Sequence, residues 1–416
     1  MIRRNLTRRL LLALSDNPVV LVNGARQSGK STLAKQLISD GHKARYLTLD
    51  DATVLEAAKS DPAGFISGLE EAVVIDEVQR APGLFIAIKA EVDRHRQPGR
   101  FLLTGSADLF LLPTLSESLA GRMEVLTLWP FSQGEIDGIQ EGFIDAVFDN
   151  ARLVFSEPSS RVDIFSRAIL GGFPEVIQRE SDERRRAWFG SYVTTILQRD
   201  IRDLANIEGL TALPRLLALL ATRATATLNL AELSRGTGVA QTTLRRYLTL
   251  LEATFLIHNL LPWFSNIGKR LVKSPKLLMS DTGLMSYQSG ITLERLQLEP
   301  SLAGALLENF VAMELHKQVA WSRTQPKLFH FRTQRGQEVD IVMEDAGGNI
   351  VGVEVKTSAT VKGDDFAGLR LLAEALGSRF RRGLVLYTGS ETVPYGPNLF
   401  AMPMSAIWRL PSREDL

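Results

Sequence analysis

The sequence predicts an α/β chain of several domains, the first of them a parallel sheet covered by helices on both faces. Three observations carry that expectation. An unbroken apolar run, Val19 to Val22, leads into Gly24-Ala25-Arg26-Gln27-Ser28-Gly29-Lys30-Ser31, and a helix-forming stretch follows. Apolar runs of strand length then alternate with helical stretches as far as Thr104, the pattern of parallel strands joined by crossover helices. Beyond about residue 300 the order becomes α-β-β-β-α-β, with acidic and basic residues placed on the strands.

A chain of 416 residues with 45% hydrophobic side chains can fill several cores. Its 48 Lys and Arg are balanced by 47 Asp and Glu, so no global field draws in a polyanion and any DNA contact must come from local patches. Cysteine is absent, which excludes disulfides and thiolate metal sites and agrees with a cytoplasmic location. No uncharged apolar segment is long enough to span a bilayer, so no membrane partner is expected. Arg3, Arg4, Arg8 and Arg9 precede Leu10 to Leu14; the run is too short for a signal peptide and reads as a basic amphipathic helix packed on the first domain.

The first element fits G-x-x-x-x-G-K-[ST] at every fixed position, the pattern of a phosphate-binding P-loop. Its expected nucleotide-binding residues are Gly24, Ala25, Arg26, Gln27, Ser28, Gly29, Lys30, Ser31 and Thr32, and the expected ligand is ATP with Mg²⁺. Glycines let successive backbone N–H groups turn toward a phosphate, Lys30 reaches the outer phosphates and the Ser31 hydroxyl ligates the ion. A second strand, Ala44 to Leu49, ends in Asp50-Asp51. The third, Ala72 to Ile75, ends in Asp76-Glu77, where the first carboxylate serves Mg²⁺ and the second polarises an attacking water. The fourth, Phe101 to Thr104, opens into Gly105-Ser106 at the same sheet edge; Ser106, with Thr104 second, is expected to sense the γ-phosphate.

These motifs, with Leu103-Thr104-Gly105-Ser106, Leu119-Ala120-Gly121-Arg122 and Leu128-Trp129-Pro130-Phe131-Ser132, resemble the bacterial and archaeal AAA-type ATPases that carry a nuclease-like domain of unknown function at their C-terminus. The resemblance covers nearly the whole chain. It implies a homo-oligomer, of ring form, in which an arginine acts across a subunit boundary on the γ-phosphate. Arg122 is the candidate, its charge being permanent.

Ser156-Glu157-Pro158-Ser159-Ser160 is polar and turn-forming and marks the end of the first domain, residues 1–155. Leu170-Gly171-Gly172-Phe173-Pro174-Glu175 matches another family signature whose function is not legible. Residues 184–207 read as a helix rich in arginine, including Arg199 and Arg202. A helix at Leu230 to Ser234, a Gly236-Thr237-Gly238 turn, a helix at Gln241 to Leu251 and two strands, Phe255 to Leu261 and Lys276 to Met279, outline a winged helix-turn-helix. Leu244, Leu248 and Leu251 share one face of its second helix, leaving Gln241, Thr242, Arg245 and Arg246 for DNA or phosphates. Lys269, Arg270 and Lys273 lie between the strands. Ser280-Asp281-Thr282-Gly283-Leu284 again resembles the family. This helical and winged region is expected over residues 156–295.

Residues 296–416 are expected to form the third domain. A helix at Leu302 to Ala320 carries Glu308. Strands follow at Leu328 to Arg332, Glu338 to Met343 and Ile350 to Val355, then a helix at Asp365 to Leu376 and a strand at Gly383 to Tyr387. In Glu354-Val355-Lys356 the two-residue period puts Glu354 and Lys356 on one face, beside Asp340 from the neighbouring strand. Two carboxylates can hold Mg²⁺ or Mn²⁺ while the lysine positions water or a phosphodiester. The arrangement resembles the Asp…Glu-x-Lys core of a PD-(D/E)XK restriction-endonuclease-like α/β domain, and the resemblance implies Glu308 as an added metal ligand. The expected metal ligands are thus Ser31 and Asp76 in the first domain and Glu308, Asp340 and Glu354 in the last. The expected catalytic residues are Glu77, Ser106, Arg122, Asp340, Glu354 and Lys356. Together they point to ATP hydrolysis coupled to a Mg²⁺-dependent nuclease acting on DNA. The alternative is a nucleotide switch or scaffold with an inactive nuclease fold; a small-molecule kinase is disfavoured, because nothing resembles a lid or acceptor site.

Overall fold

The computed structural model describes residues 2–106, 119, 121–149, 153, 155, 157–201, 210–264, 273–333 and 336–412. The chain divides into two compact units: residues 4–130 with 249–256, and residues 1–3, 131–248 and 257–416. Arg202, Lys269 and Arg270 lie outside the described residues, as do Ala120 and Ser156. Among those described, no helix is long and apolar enough to cross a membrane.

The first unit is built on five parallel strands, β1 (Val19–Asn23), β2 (Arg45–Thr48), β3 (Val73–Asp76), β4 (Phe101–Gly105) and β5 (Met123–Thr127), in the order β2-β3-β4-β1-β5. Strands β1, β3 and β4 are buried along their whole length, as continuous apolar runs in a sheet covered on both faces should be. Strand β5 escapes sequence reading because Met-Glu-Val-Leu-Thr is short, mixed and mostly half-buried. The helix α1 (Thr7–Asp16) buries Leu10, Ala13 and Leu14. Arg4 departs from the expected basic face: it is buried, and its guanidinium donates to the carbonyls of Ser28 in the P-loop and Trp129.

Along residues 230–279 the helices Leu230–Thr237 and Gln241–Ala253 are followed by an antiparallel pair, β6 (Ile257–Leu260) and β7 (Lys276–Met279). The first helix runs three residues further than its sequence suggests, and the chain turns at Gly238, in the left-handed region. Leu244, Leu248 and Leu251 are buried, whereas Gln241, Thr242, Arg245 and Arg246 are exposed. The arginine-rich segment is an α-helix over Asp182–Thr195 that loosens into a π-helical turn at Ile196–Asp200.

Six strands form the second sheet: β8 (Lys327–Arg332), β9 (Glu338–Glu344), β10 (Ile350–Val355), β11 (Phe380–Tyr387), β12 (Val393–Gly396) and β13 (Leu399–Pro403). Their order is β12-β13-β11-β10-β9-β8. Strand β9 runs antiparallel to both β8 and β10, while β11 runs parallel to both β10 and β13. The helices Leu302–Val319 and Ala367–Leu376 flank this run in sequence, giving the expected α-β-β-β-α-β order. Strands β12 and β13 extend the sheet beyond that expectation.

The family-like motifs of this unit meet in one hydrogen-bonded junction. Phe131 N donates to the Gly172 carbonyl at 2.8 Å, Gly172 N to Asp281 Oδ2 at 2.7 Å, and Lys317 Nζ to the Phe131 carbonyl at 2.9 Å. A Cβ on Gly171, at φ +73°, would strike the Asp281 carboxylate, and one on Gly172 the Phe131 carbonyl. The glycine pair is therefore explained by close backbone approach. Asp281 also caps the helix Thr282–Ser289 by accepting from Leu284 N at 3.0 Å.

Candidate functional site

The P-loop sits at the C-terminal end of β1 and opens the helix Lys30–Ser39. Three residues set its path: Gly24 and Gly29 at φ +147° and +100°, and Gln27 in the left-handed region at +60°. A Cβ on Gly24 would run into the Leu128 carbonyl, so the loop can pass close to Leu128-Trp129 only without a side chain there. Lys30 is buried and donates to the Gly24 and Ala25 carbonyls at 2.9 and 2.8 Å.

The parallel pairing of β3 with β4, and of β4 with β1, brings the ends of these strands to the same edge. Ser31 Oγ consequently lies 3.0 Å from Asp76 Oδ1. Asp76 accepts further hydrogen bonds from Thr104 Oγ1 and, at 2.6 Å, from Tyr46 Oη. Burial, followed by the hydrogen bond to Asp76, raises the Tyr46 pKa, keeping the phenol a donor. Glu77 adopts φ +60°, an uncommon conformation for a non-glycine residue. Its carboxylate accepts from Gln79 Nε2 and, at 3.3 Å, from Ser106 Oγ, while Gln79 also donates to Ser106 at 2.9 Å. Tyr46 and Gln79 had no signal in the sequence beyond their nearness to strand ends.

Arg122 lies elsewhere. It precedes β5, whose first residue pairs with Val19 and whose last pairs with Asn23, so it stands at the opposite edge of the sheet, about 13 Å from the P-loop edge. There it forms an ion pair with Asp93, whose carboxyl is held below its usual range by the hydrogen bond from Arg122.

The second cluster lies in the other unit. Val353 pairs with Ile341, so the next positions, Glu354 and Asp340, share a face of the sheet. Glu308, Asp340, Glu354 and Lys356 line one cavity together with Asp364 and Asp365. Asp340 Oδ2 accepts from Val355 N at 2.9 Å. Lys356 Nζ is 4.0 Å from Glu354 and 3.8 Å from Asp365. A residue that sequence reading missed completes the cluster: Lys276 of β7 is buried, 2.6 Å from Glu308 Oε1 and 3.5 Å from Asp340 Oδ1. Burial, then the Asp340 charge, pushes Glu354 up to about 10 and Glu308 up to about 7. Among the described residues, no group of three carboxylate or imidazole side chains is spaced to hold a metal ion.

The first site and its sheet define a P-loop ATPase domain of the AAA class, and residues 16–137 match the AAA domain family. Residues 161–295 and 303–407 match two domains of unknown function, DUF8612 and DUF4143. The chain is 34% identical over 417 residues to the uncharacterized proteins Rv2008c of Mycobacterium tuberculosis and Mb2031c of Mycobacterium bovis, an alignment covering 100% of this chain and 86% of each relative. It belongs to the family of these proteins. Among solved structures, the Walker-type ATPase PABY2304 of Pyrococcus abyssi is similar over 69% of this chain and 96% of its own, at 14% identity and a TM-score of 0.43. AMPPCP-bound DnaA from Aquifex aeolicus is similar over 60% and 86%, at 16% identity and a TM-score of 0.29.

Proposed function

We propose that this protein binds and hydrolyses ATP as a cytoplasmic homo-oligomer and couples turnover to the handling of DNA. The observation that carries the ATPase reading is the 3.0 Å approach of Ser31 Oγ to Asp76 Oδ1 beside the buried Lys30. A hydroxyl and a carboxylate at that distance form a donor set that fits Mg²⁺, which when bound with ATP offsets phosphate charge. Lys30 exchanges its two carbonyl partners for phosphate oxygens. Glu77 polarises the attacking water, and the hydrogen bonds from Gln79 and Ser106 orient its carboxylate. Thr104 and Tyr46 fix Asp76. Arg122, at the far edge of the sheet, serves the nucleotide of a neighbouring subunit.

In this reading residues 1–155 are the motor, residues 156–295 a winged-helix adaptor that presents Gln241, Thr242, Arg245 and Arg246, and residues 296–416 a nuclease-like domain. Lys356, Asp340 and Glu354 line one cavity, an arrangement that would be directed at a phosphodiester only with a divalent ion between them. Its carboxylates do not fit a divalent ion as they stand, because the Lys276 ammonium already lies between Glu308 and Asp340. That observation favours a second reading, a nucleotide-dependent scaffold with an inactive nuclease fold.

An ATPase assay with duplex, branched and single-stranded DNA separates the two. Stimulation of several-fold by one of them is expected if turnover is coupled to DNA. Basal turnover that none of the three changes, together with no DNA binding, would leave the scaffold reading in place.

A further inference from the structure

Lys276 sits in Lys276-Leu277-Leu278-Met279, a strand buried at all four positions. A lysine in such a strand is retained only where opposite charge compensates its lost hydration. The compensation comes from outside its own sheet: Glu308 of the helix Leu302–Val319 at 2.6 Å and Asp340 of β9 at 3.5 Å. The other oxygen of Asp340 is engaged by Val355 N. Lys356 is different in kind. It is one-third exposed and reaches Glu354 and Asp365 at about 4 Å, so it can turn toward a ligand in the cavity.

The three carboxylates Glu308, Asp340 and Glu354 thus face one buried ammonium and one partly exposed one. His330 of β8 also lies near Lys276; burial, then the lysine's charge, lowers its pKa to about 4, so it adds no charge at neutral pH. A divalent ion bound by Glu308 and Asp340 would have to share their oxygens with the ammonium, and two cations within a few ångströms in a buried site repel strongly.

We propose that Lys276 is a built-in cation that holds the place between Glu308 and Asp340 that a divalent ion would take, so that these carboxylates do not hold divalent metal while the lysine is present. The inference rests on reading the pocket as a phosphodiester-directed site and gives that site a lock. It also assigns β7 a role beyond its pairing with β6: the strand carries the group that sets whether the carboxylates are neutralised or open.

The test is Mn²⁺ binding to the full-length, nucleotide-free chain, read from the loss of the free-ion electron paramagnetic resonance signal. Asp76→Asn is carried in every variant to remove the P-loop contribution. The Lys276 chain should bind Mn²⁺ at least about tenfold more weakly than Lys276→Met, which should take one ion per chain, and adding Asp340→Asn to Lys276→Met should abolish that binding. Lys276→Met leaves two buried carboxylates without their partner, so Lys276→Met with Glu308→Gln, which restores the charge balance, serves as the folded control and should bind through Asp340 and Glu354. Mn²⁺ should raise the melting temperature of both Lys276→Met chains and leave that of the Lys276 chain unchanged. Equal affinity with and without Lys276 would overturn the lock while keeping the metal site. Absence of Mn²⁺ binding from every folded variant would overturn both the lock and the reading of the pocket as a metal site.

Discussion

The P-loop and the carboxylate pocket each hold a buried lysine, yet the two lysines are held by different partners. Lys30 donates to backbone carbonyls of its own loop, neutral acceptors that a phosphate displaces with a gain in charge pairing. Lys276 is held by carboxylates, which only another cation can satisfy equally well. One lysine stands ready for an anion; the other is already paired with two. The charge of what a buried lysine touches therefore says more about a site than the presence of the lysine.

The largest effect that would sharpen this comparison is on stability. Lys276→Met should lower the free energy of unfolding by about 3–5 kcal/mol, because it strands Glu308 and Asp340 in a buried site. Lys30→Met, measured without nucleotide, should cost about 1 kcal/mol, since the carbonyls it leaves are neutral. Urea midpoints of the two variants give the ratio, and equal losses would erase the distinction.

Function should respond in the opposite sense. Lys30→Ala is expected to abolish tight ATP binding, while Glu77→Gln keeps binding and loses on the order of a hundredfold or more in turnover. Nucleotide binding and phosphate release measure these separately; unchanged turnover in both would remove the ATPase assignment. Gly24→Ala tests the approach of Leu128 to the loop: its Cβ meets the Leu128 carbonyl, and a loss of about 1–3 kcal/mol in stability should accompany weaker ATP binding.

The helix that carries Glu308 also carries His316, whose ring contacts that of His258. Burial lowers the His316 pKa from 6.5 to about 4. A depressed histidine contributes stability that is present above pH 6.5 and is lost as pH falls toward 4, because the unfolded chain binds the proton first. The free energy of unfolding should thus fall on acidification across that window, by roughly 3 kcal/mol for this residue, and His316→Gln should flatten the slope. A slope unchanged by that substitution would place the acid sensitivity elsewhere.

The smallest expected signal is the rescue of one subunit by another. Arg122→Ala and Lys30→Ala chains, each inactive alone, should recover a fraction of turnover when mixed, since the intact P-loop and the intact arginine then meet across an interface. Full activity of Arg122→Ala as a monomer would remove the cross-subunit role and leave the arginine a structural part that includes its ion pair with Asp93.

The sequence by itself determined the P-loop, the Asp76-Glu77 pair, the strands that carry them and the α-β-β-β-α-β order around Asp340, Glu354 and Lys356. These features are written in neighbouring residues: an apolar run, a glycine turn, a period of two. Tertiary structure decided the rest. It buried Arg4 under the P-loop, joined Gln79 to Glu77 and Ser106, drew three glycine-bearing or aromatic motifs into a backbone junction, and added β5, β12 and β13, whose short mixed sequences carry little periodicity. Above all it placed Lys276 between Glu308 and Asp340, residues 32 and 64 positions away. A lysine at the head of Lys-Leu-Leu-Met gives no local sign of its partners. Coulomb energy depends on distance in space and on burial, and both are fixed only when strands and helices remote in the chain pack together.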